Sequence, residues 1–297
     1  MTSLFWSFNF VLGKVLAGVI PPVAISFLRW IFPLIYFFLL YGKEIKAHVR
    51  QLKSSWLLIL VLGATGYCLN SISVYESIRY TTTINSSFIN AFNPVVIALC
   101  GLVMYRYPVS RIQALGFFLS LLGVLCIMFK GDLGRVAELR VNGGDLFMVA
   151  SIVFWSFHTV IYKKKADQFP EKVLFCAMML GGVLVTLPLF IVETILNRGQ
   201  WIQDIRMIHV ICIFCLNLFP SVLAYQFWHS GLKKVSANQV AIFQYLIPVF
   251  TTIISVLFLD ERFRWFHFLG GLLIFAGVIL VTNQKNQKAS GQGDQPD

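Results

Sequence analysis

The sequence predicts an all-α, polytopic membrane protein of ten transmembrane helices arranged as two inverted five-helix repeats. Three observations predict it. Hydrophobic residues make up 58% of the 297-residue chain and charged residues only 12%, about half of the roughly 25% found in soluble domains. Apolar stretches near the length of about 20 residues that crosses the hydrocarbon core follow one another along the chain. Two blocks of residues then recur, in the same order, between the halves.

In chain order the spans are 2–16, 22–41, 56–77, 84–104, 110–129, 144–163, 173–195, 208–231, 236–258 and 265–283. The breaks between them carry Pro, Gly and charge, as at Pro21-Pro22, Gly42-Lys43-Glu44, Gly143-Gly144-Asp145 and Asp260-Glu261-Arg262. Lipid offers the backbone no hydrogen-bond partners, so a span must be a helix or a strand of a closed barrel. Long apolar runs without strict alternation exclude the barrel. No basic region precedes the first apolar run, so no cleaved signal peptide is expected. The polar stretch 284–297, rich in Gln, Gly and Lys, is expected to be disordered.

The repeat is read from residue identities. Trp6-Ser7-Phe8, Val11 and Lys14 recur as Trp155-Ser156-Phe157, Val160 and Lys163, each pair 149 positions apart. Pro94-Val95, Gly116, Gly123 and Val124 recur as Pro248-Val249, Gly270, Gly277 and Val278, each pair 154 apart. The expected organisation is a first repeat over 1–130, a connection over 131–143, a second repeat over 144–283, and the tail. An odd number of spans per repeat means that the second copy enters the bilayer from the opposite side, an architecture that places a substrate site at the repeat interface. Five residues precede Trp6 while eleven (144–154) precede Trp155 in its span. Helix 1 is therefore expected to be about 9 Å short at 1.5 Å per residue, as from a truncated or misassigned start.

The net charge of +11 does not form one patch. Basic residues cluster between spans, as at Lys43, Lys46, Arg50 and Lys53, at Lys163 to Lys165, and at Lys233 and Lys234. These clusters fall on one side of the expected topology and outnumber the Arg and Lys opposite, so both termini are expected in the cytoplasm and the protein in the inner membrane. Nucleic acid is not an expected partner. All six cysteines fall inside apolar spans. The C-x-x-C pair Cys212 and Cys215, set among Ile, Phe and Leu, reads as small apolar filler rather than a redox or zinc site.

The pattern as a whole resembles the EamA-type branch of the drug/metabolite transporter superfamily. The resemblance is carried by Trp6-Ser-Phe-Asn9-Phe-Val-Leu-Gly-Lys14, by Arg29 within span 2, and by Arg79-Tyr-Thr-Thr-Thr83 leading into Asn93-Pro94. Pro248, Leu259-Asp260-Glu261-Arg262, Gly270 and Gly277 carry it in the second half. It covers nearly the whole chain. It implies a ten-helix exporter of small metabolites with a central cavity lined mainly by helices 1, 3, 4, 6, 8 and 9. Two departures stand out: the short helix 1, and Arg106-Tyr107-Pro108 where the second half has its acidic Glu261 turn.

Polar side chains at mid-span usually face a cavity or a partner helix. Ser86, Asn90 and Asn93 share one face of span 4. Ser151, His158 and Tyr162 lie near one face of span 6, and Asn217, Ser221, Tyr225 and Trp228 near one face of span 8. For each, interhelical hydrogen bonding and cavity lining are alternatives. The repeat aligns Asn9 with His158 and Asn90 with Gln244, which suggests opposing walls of one chamber. The substrate-binding candidates are Trp6, Asn9, Asn70, Asn90, Trp155, His158, Tyr225, Trp228 and Gln244. Lys14, Arg29, Glu76 and Lys163 are candidates for coupling or structural charge. Lys14 and Lys163 sit near helix ends, where snorkelling is the plain account, and Arg29 is placed to meet a helix-end carbonyl or an acidic group. Glu76, His158 and His229 are groups that would exchange protons in a proton-coupled transporter, though Glu76 reads equally as interfacial. The glycine pairs 116/123 and 270/277 read as helix-packing positions and Pro94 and Pro248 as kinks.

The expected function is a secondary transporter that exports small organic metabolites, amino acids or related compounds, by alternating access. An importer or a sugar-phosphate or nucleoside carrier of the same fold is the alternative. The expected partners are a small-molecule substrate, the lipid bilayer, a coupling proton or ion and a second copy in a homodimer. No G-x-x-x-x-G-K-[ST] loop and no H-E-x-x-H motif is present, so neither nucleotide hydrolysis nor a zinc enzyme is indicated and no cofactor is expected.

Overall fold

A computed structural model describes residues 1–106, 110–132, 141–165, 168–224, 227 and 246–283. Among them the chain is helical, with no strand. The helices are α1 (Thr2–Ala17), α2 (Pro22–Ala47), the short α3 (Val49–Ser54), α4 (Trp56–Tyr80), α5 (Thr83–Asn90), α6 (Asn93–Tyr105), α7 (Arg111–Met128) and α8 (Gly143–Lys165). They continue with α9 (Glu171–Leu196), the short α10 (Gln200–Gln203), α11 (Met207–Leu223), α12 (Leu246–Phe258) and α13 (Trp265–Asn283).

Among the described residues, α2, α4, α7, α8 and α9 are each long and apolar enough to cross a membrane, and α5 with α6 makes a sixth span if the bent pair is taken together. α11, α12 and α13 are shorter apolar helices. The chain is thus a multi-pass membrane protein, and its surface says so directly. Leu39, Leu184, Leu196, Phe258 and Phe268 are exposed, while Ser7, Ser26, Ser77, Ser86, Ser151 and Ser255 are buried. Water would demand the reverse. Lipid does not, because buried hydroxyls bond between helices and the apolar shell meets acyl chains.

Sequence chemistry explains the irregularities. Pro94 lacks an N–H and its ring collides with the carbonyl four residues back, so span 4 breaks at Ala91-Phe92 and bends by 40° between α5 and α6. Pro220 cannot donate to the Leu216 carbonyl, and α11 widens into a π-turn over Asn217–Leu223; the Ser221 hydroxyl donates to Leu216 O at 3.0 Å instead. A second π-turn, Ala64–Leu69, interrupts α4. There the Leu62 carbonyl accepts from His158 Nδ1 of α8 at 2.9 Å. A carbonyl only accepts, so that imidazole carries its proton on Nδ1.

α7 lies along α13, and α9 covers α2 and the first half of α4. α1 is wedged among α4, α11 and α12, and α8 among α4, α5 and α6. Glycine sets the closest approaches. A Cβ at Gly123 would stand 2.5 Å from Gly270 O, and one at Gly277 would stand 2.3 Å from Gly116 O. Ser120 Oγ donates to Ile274 O between those two contacts at 3.2 Å.

Candidate functional site

A cavity of about 100 Å³ sits at the middle of the bundle. It is lined by Trp6, Asn9 and Phe10 of α1, Arg29 of α2, Asn70 and Val74 of α4, Asn90, Asn93, Trp155 of α8 and Ile247 of α12. The space holds several waters or the polar head of a small metabolite, well below the roughly 300–1,000 Å³ of a drug-sized site. The bend before Pro94 is what brings Asn90, the last residue of α5, and Asn93, the first of α6, to the same chamber. Two larger clefts, of about 640 and 810 Å³, open on the outer apolar face between α2, α4 and α9 and between α2 and α11. Their walls are mostly Leu, Ile, Val, Phe and Trp, which suits lipid rather than a polar solute.

The floor of the cavity is a closed polar net. Arg29, 6% exposed, donates from Nη1 to Asn9 Oδ1 at 2.8 Å and to the Tyr75 hydroxyl at 3.2 Å. Its Nε donates to Ser221 Oγ at 3.1 Å, and its guanidinium lies 4.8 Å from the Trp30 ring. Tyr75 donates in turn to Asn9 Oδ1 at 2.9 Å. Arg29 therefore meets neutral side-chain oxygens, not the helix-end carbonyl or acidic group expected from sequence. Asn70 donates to the Ser151 carbonyl and hydroxyl at 3.1 and 2.9 Å, and Asn93 accepts from Ser156 at 3.2 Å.

One end of the bundle is sealed above this cavity by polar bonds that join residues 1–129 to residues 142–283. The Glu261 carboxylate accepts from Thr83 N and Ile84 N at 2.8 and 3.0 Å, capping α5. The Glu193 carboxylate accepts from Val23 N and Ala24 N at 3.2 and 2.8 Å, capping α2. Both use the helix N-terminal dipole and its spare donors. Thr83 and Ser255 hydroxyls meet at 2.6 Å, and His267 Nε2 donates to Asn85 Oδ1 at 2.6 Å. Lys14 turns inward: its Nζ donates to Ile78 O at 2.5 Å and Thr81 O at 2.9 Å, capping the C-terminus of α4 rather than snorkelling to headgroups. At the opposite end Gln51 Nε2 donates to Gln168 O at 2.6 Å in an exposed contact, while Phe37, Tyr41, Ile45 and Leu52 share an apolar cluster with Phe169 and Leu174.

Of the residues singled out from sequence, Trp6, Asn9, Asn70, Asn90, Trp155 and Arg29 therefore share one cavity. His158 stands behind it: its ring stacks on Trp155 at 5.2 Å and bonds Leu62 O, and it does not line the chamber. Glu76 is also outside, with Oε2 buried and unpartnered among the described residues. Lys163 is exposed at the end of α8. Tyr225, Trp228, His229 and Gln244 lie outside the described residues. Tyr75 was missed. A lone phenol in span 3 gives no signal by itself; the only cue was that a mid-span arginine needs oxygen partners.

The sequence model of the EamA-like transporter family matches this chain over residues 1–129 and 142–283. A protein of Archaeoglobus fulgidus named as an uncharacterized transporter is 26% identical over 97% of this chain and 96% of its own. Another of that description from Bacillus subtilis is 26% identical over 94% of this chain and 90% of its own. A probable amino-acid metabolite efflux pump of Escherichia coli is 22% identical over 93% of this chain and 90% of its own. A crystal structure shares the fold with a TM-score of 0.62 at 16% identity, covering 97% of this chain and 96% of that one.

Proposed function

The chain belongs to the EamA-like transporter family, and on that footing we propose that it is a secondary transporter that exports small organic metabolites across the inner membrane by alternating access. The observation that carries this reading is a small polar chamber, walled by helices from both family-matched segments, inside a bundle whose outer face is apolar. The chamber is closed at the Lys14 end by removable bonds between those segments. Export would require these to part while contacts at the other end hold the segments together.

The reading includes ten spans in two inverted repeats, 1–130 and 144–283 joined by 131–143, with the 284–297 tail and both termini in the cytoplasm. Three features support it. The π-turns Ala64–Leu69 and Asn217–Leu223 fall at positions related by the 154-residue offset of the second repeat block, allowing one residue at the start. Trp6 and Trp155, and Asn93 and Ile247, are repeat-related pairs that line one cavity. The Gly123–Gly270 contact becomes the Gly277–Gly116 contact under the same offset, as a two-fold axis between α7 and α13 requires.

The amino-acid metabolites in the name of the Escherichia coli relative make small amino acids the first candidates to try. Purified protein in liposomes is expected to support saturable counterflow of a radiolabelled small amino acid above protein-free vesicles, and Asn70→Ala with Asn90→Ala is expected to abolish it. Large ohmic currents without saturation would instead make the protein a channel.

A further inference from the structure

Arg29 holds a permanent positive charge at 6% exposure, and a buried ion without a counter-ion is costly unless something compensates it. Nothing described here does so with charge. Asn9, Tyr75 and Ser221 are its hydrogen-bond partners. All are neutral: the Tyr75 hydroxyl still donates to Asn9 and so keeps its proton. These bonds occupy Nε and Nη1, and Nη2 takes no protein partner among the described residues. Arg29 nonetheless lines the cavity. A second observation points the same way: the side chain of Asn90, on the wall of that cavity, makes no hydrogen bond among the described residues, so its amide is left to face whatever enters.

We propose that Arg29 is the anion-recognition residue of this cavity and that its ligands are small metabolites bearing a single carboxylate. The assignment rests on the transport reading for its biological meaning and on the cavity alone for its chemistry. A carboxylate supplies the one negative charge that the guanidinium lacks and accepts from its free nitrogen. The amides of Asn70, Asn90 and Asn93 are suited to an ammonium or hydroxyl on the same small molecule, and the indoles of Trp6 and Trp155 bound its apolar remainder. A phosphate monoester would bring close to two negative charges to one cation. The volume of about 100 Å³ favours a ligand of a few heavy atoms.

The test is binding to the purified full-length protein by thermal shift and calorimetry. The carboxylate probes are acetate, pyruvate, L-lactate, L-alanine and L-serine. Against them stand acetamide, lactamide, L-alaninamide and inorganic phosphate. At least one carboxylate is expected to bind saturably and its matched amide not. Arg29→Gln is expected to weaken that binding roughly ten- to hundredfold, the range for losing a hydrogen-bonded charge. Binding by no carboxylate, equal binding of acid and amide, preference for phosphate, or unchanged affinity in Arg29→Gln would each overturn the proposal. Should Arg29→Gln fail to fold, the acid-against-amide comparison on the unaltered protein decides, with Arg29→Lys expected to keep part of the affinity. Counterflow separates the two readings. Binding without flux removes transport and leaves Arg29 its role, whereas flux of a neutral metabolite through Arg29→Gln removes the Arg29 assignment and leaves transport.

Discussion

Asn9 accepts two hydrogen bonds through one oxygen, from Arg29 and from Tyr75, and so sets how much free charge the cavity presents. Asn9→Asp keeps the shape and both bonds but adds a carboxylate 2.8 Å from the guanidinium. The Tyr75 bond, of about 1 kcal/mol, would become a charge-assisted one of about 1.5–3 kcal/mol, and the Arg29 bond, charge-assisted already, would become an ion pair. The expected outcome is a melting temperature equal to or above that of the parent, together with at least a tenfold loss of carboxylate binding. A lower melting temperature with intact binding would show that Arg29 is not held by this net. Sequence spacing could reach Asn9 and Asn90 because amides at mid-span are conspicuous. It could not say what each met. Ser86 lies one turn before Asn90 on the same helix, yet Ser86 bonds Ser77 at 2.8 Å while Asn90 lines the cavity. His158 was grouped with Asn9 by the repeat, but its partner is a backbone carbonyl, and no pattern of side chains reveals a carbonyl freed by a π-turn.

At the scale of the element, two helices trade a backbone bond for a side-chain one. In α11 the cause is legible, since Pro220 has no N–H to give. In α4 it is Gly66, where a Cβ would stand 2.4 Å from His158 Nδ1; the missing side chain is what lets the imidazole reach Leu62 O. Gly66→Ala is expected to destabilise the protein by about 1–3 kcal/mol, the cost of overpacking a fitted interior, read as a lower melting temperature in detergent. Gly42, near the end of α2, has nothing within 4 Å of its would-be Cβ. Gly42→Ala is expected to be neutral or to stabilise by up to about 1 kcal/mol through helix propensity alone. Equal effects of the two substitutions would mean that the α4–α8 contact is looser than described. The other described element ends are readable within a few residues, while the end of span 8 and the start of span 9 lie outside the described residues. Helix α13 covers 265–283 as expected, whereas α2 runs on to Ala47 because Gly42-Lys43-Glu44 is polar without being helix-breaking, and composition had marked the edge of the lipid rather than the end of the helix.

For the whole molecule the question is whether the two family-matched segments are related by a two-fold axis in the membrane plane. The α7–α13 contact offers one test. Gly123 and Gly277, 154 positions apart, each face a backbone carbonyl of the opposite helix, so if the two-fold relation holds, Gly123→Ala and Gly277→Ala are expected to lower the melting temperature by similar amounts. A large loss from one and none from the other would break the equivalence. The stricter test is topological. Two copies with five spans each must enter the bilayer in opposite senses, which returns loop 2–3 and loop 8–9 to the same side. On that arrangement the shared side would carry Lys43, Lys46, Arg50 and Lys53 in one loop and Lys233 and Lys234 in the other, which retention of basic loops would place in the cytoplasm. Reporter fusions that fluoresce only in the cytoplasm, or cysteine labelling from outside the cell, placed next to Lys46 and next to Lys233 are both expected to report the cytoplasm, and a fusion after Arg198 the opposite face. Lys46 and Lys233 on different faces would mean an odd number of spans between them in place of the expected six. The two-fold relation would then fail, and with it the case that two mirrored helix sets open the cavity alternately to either side.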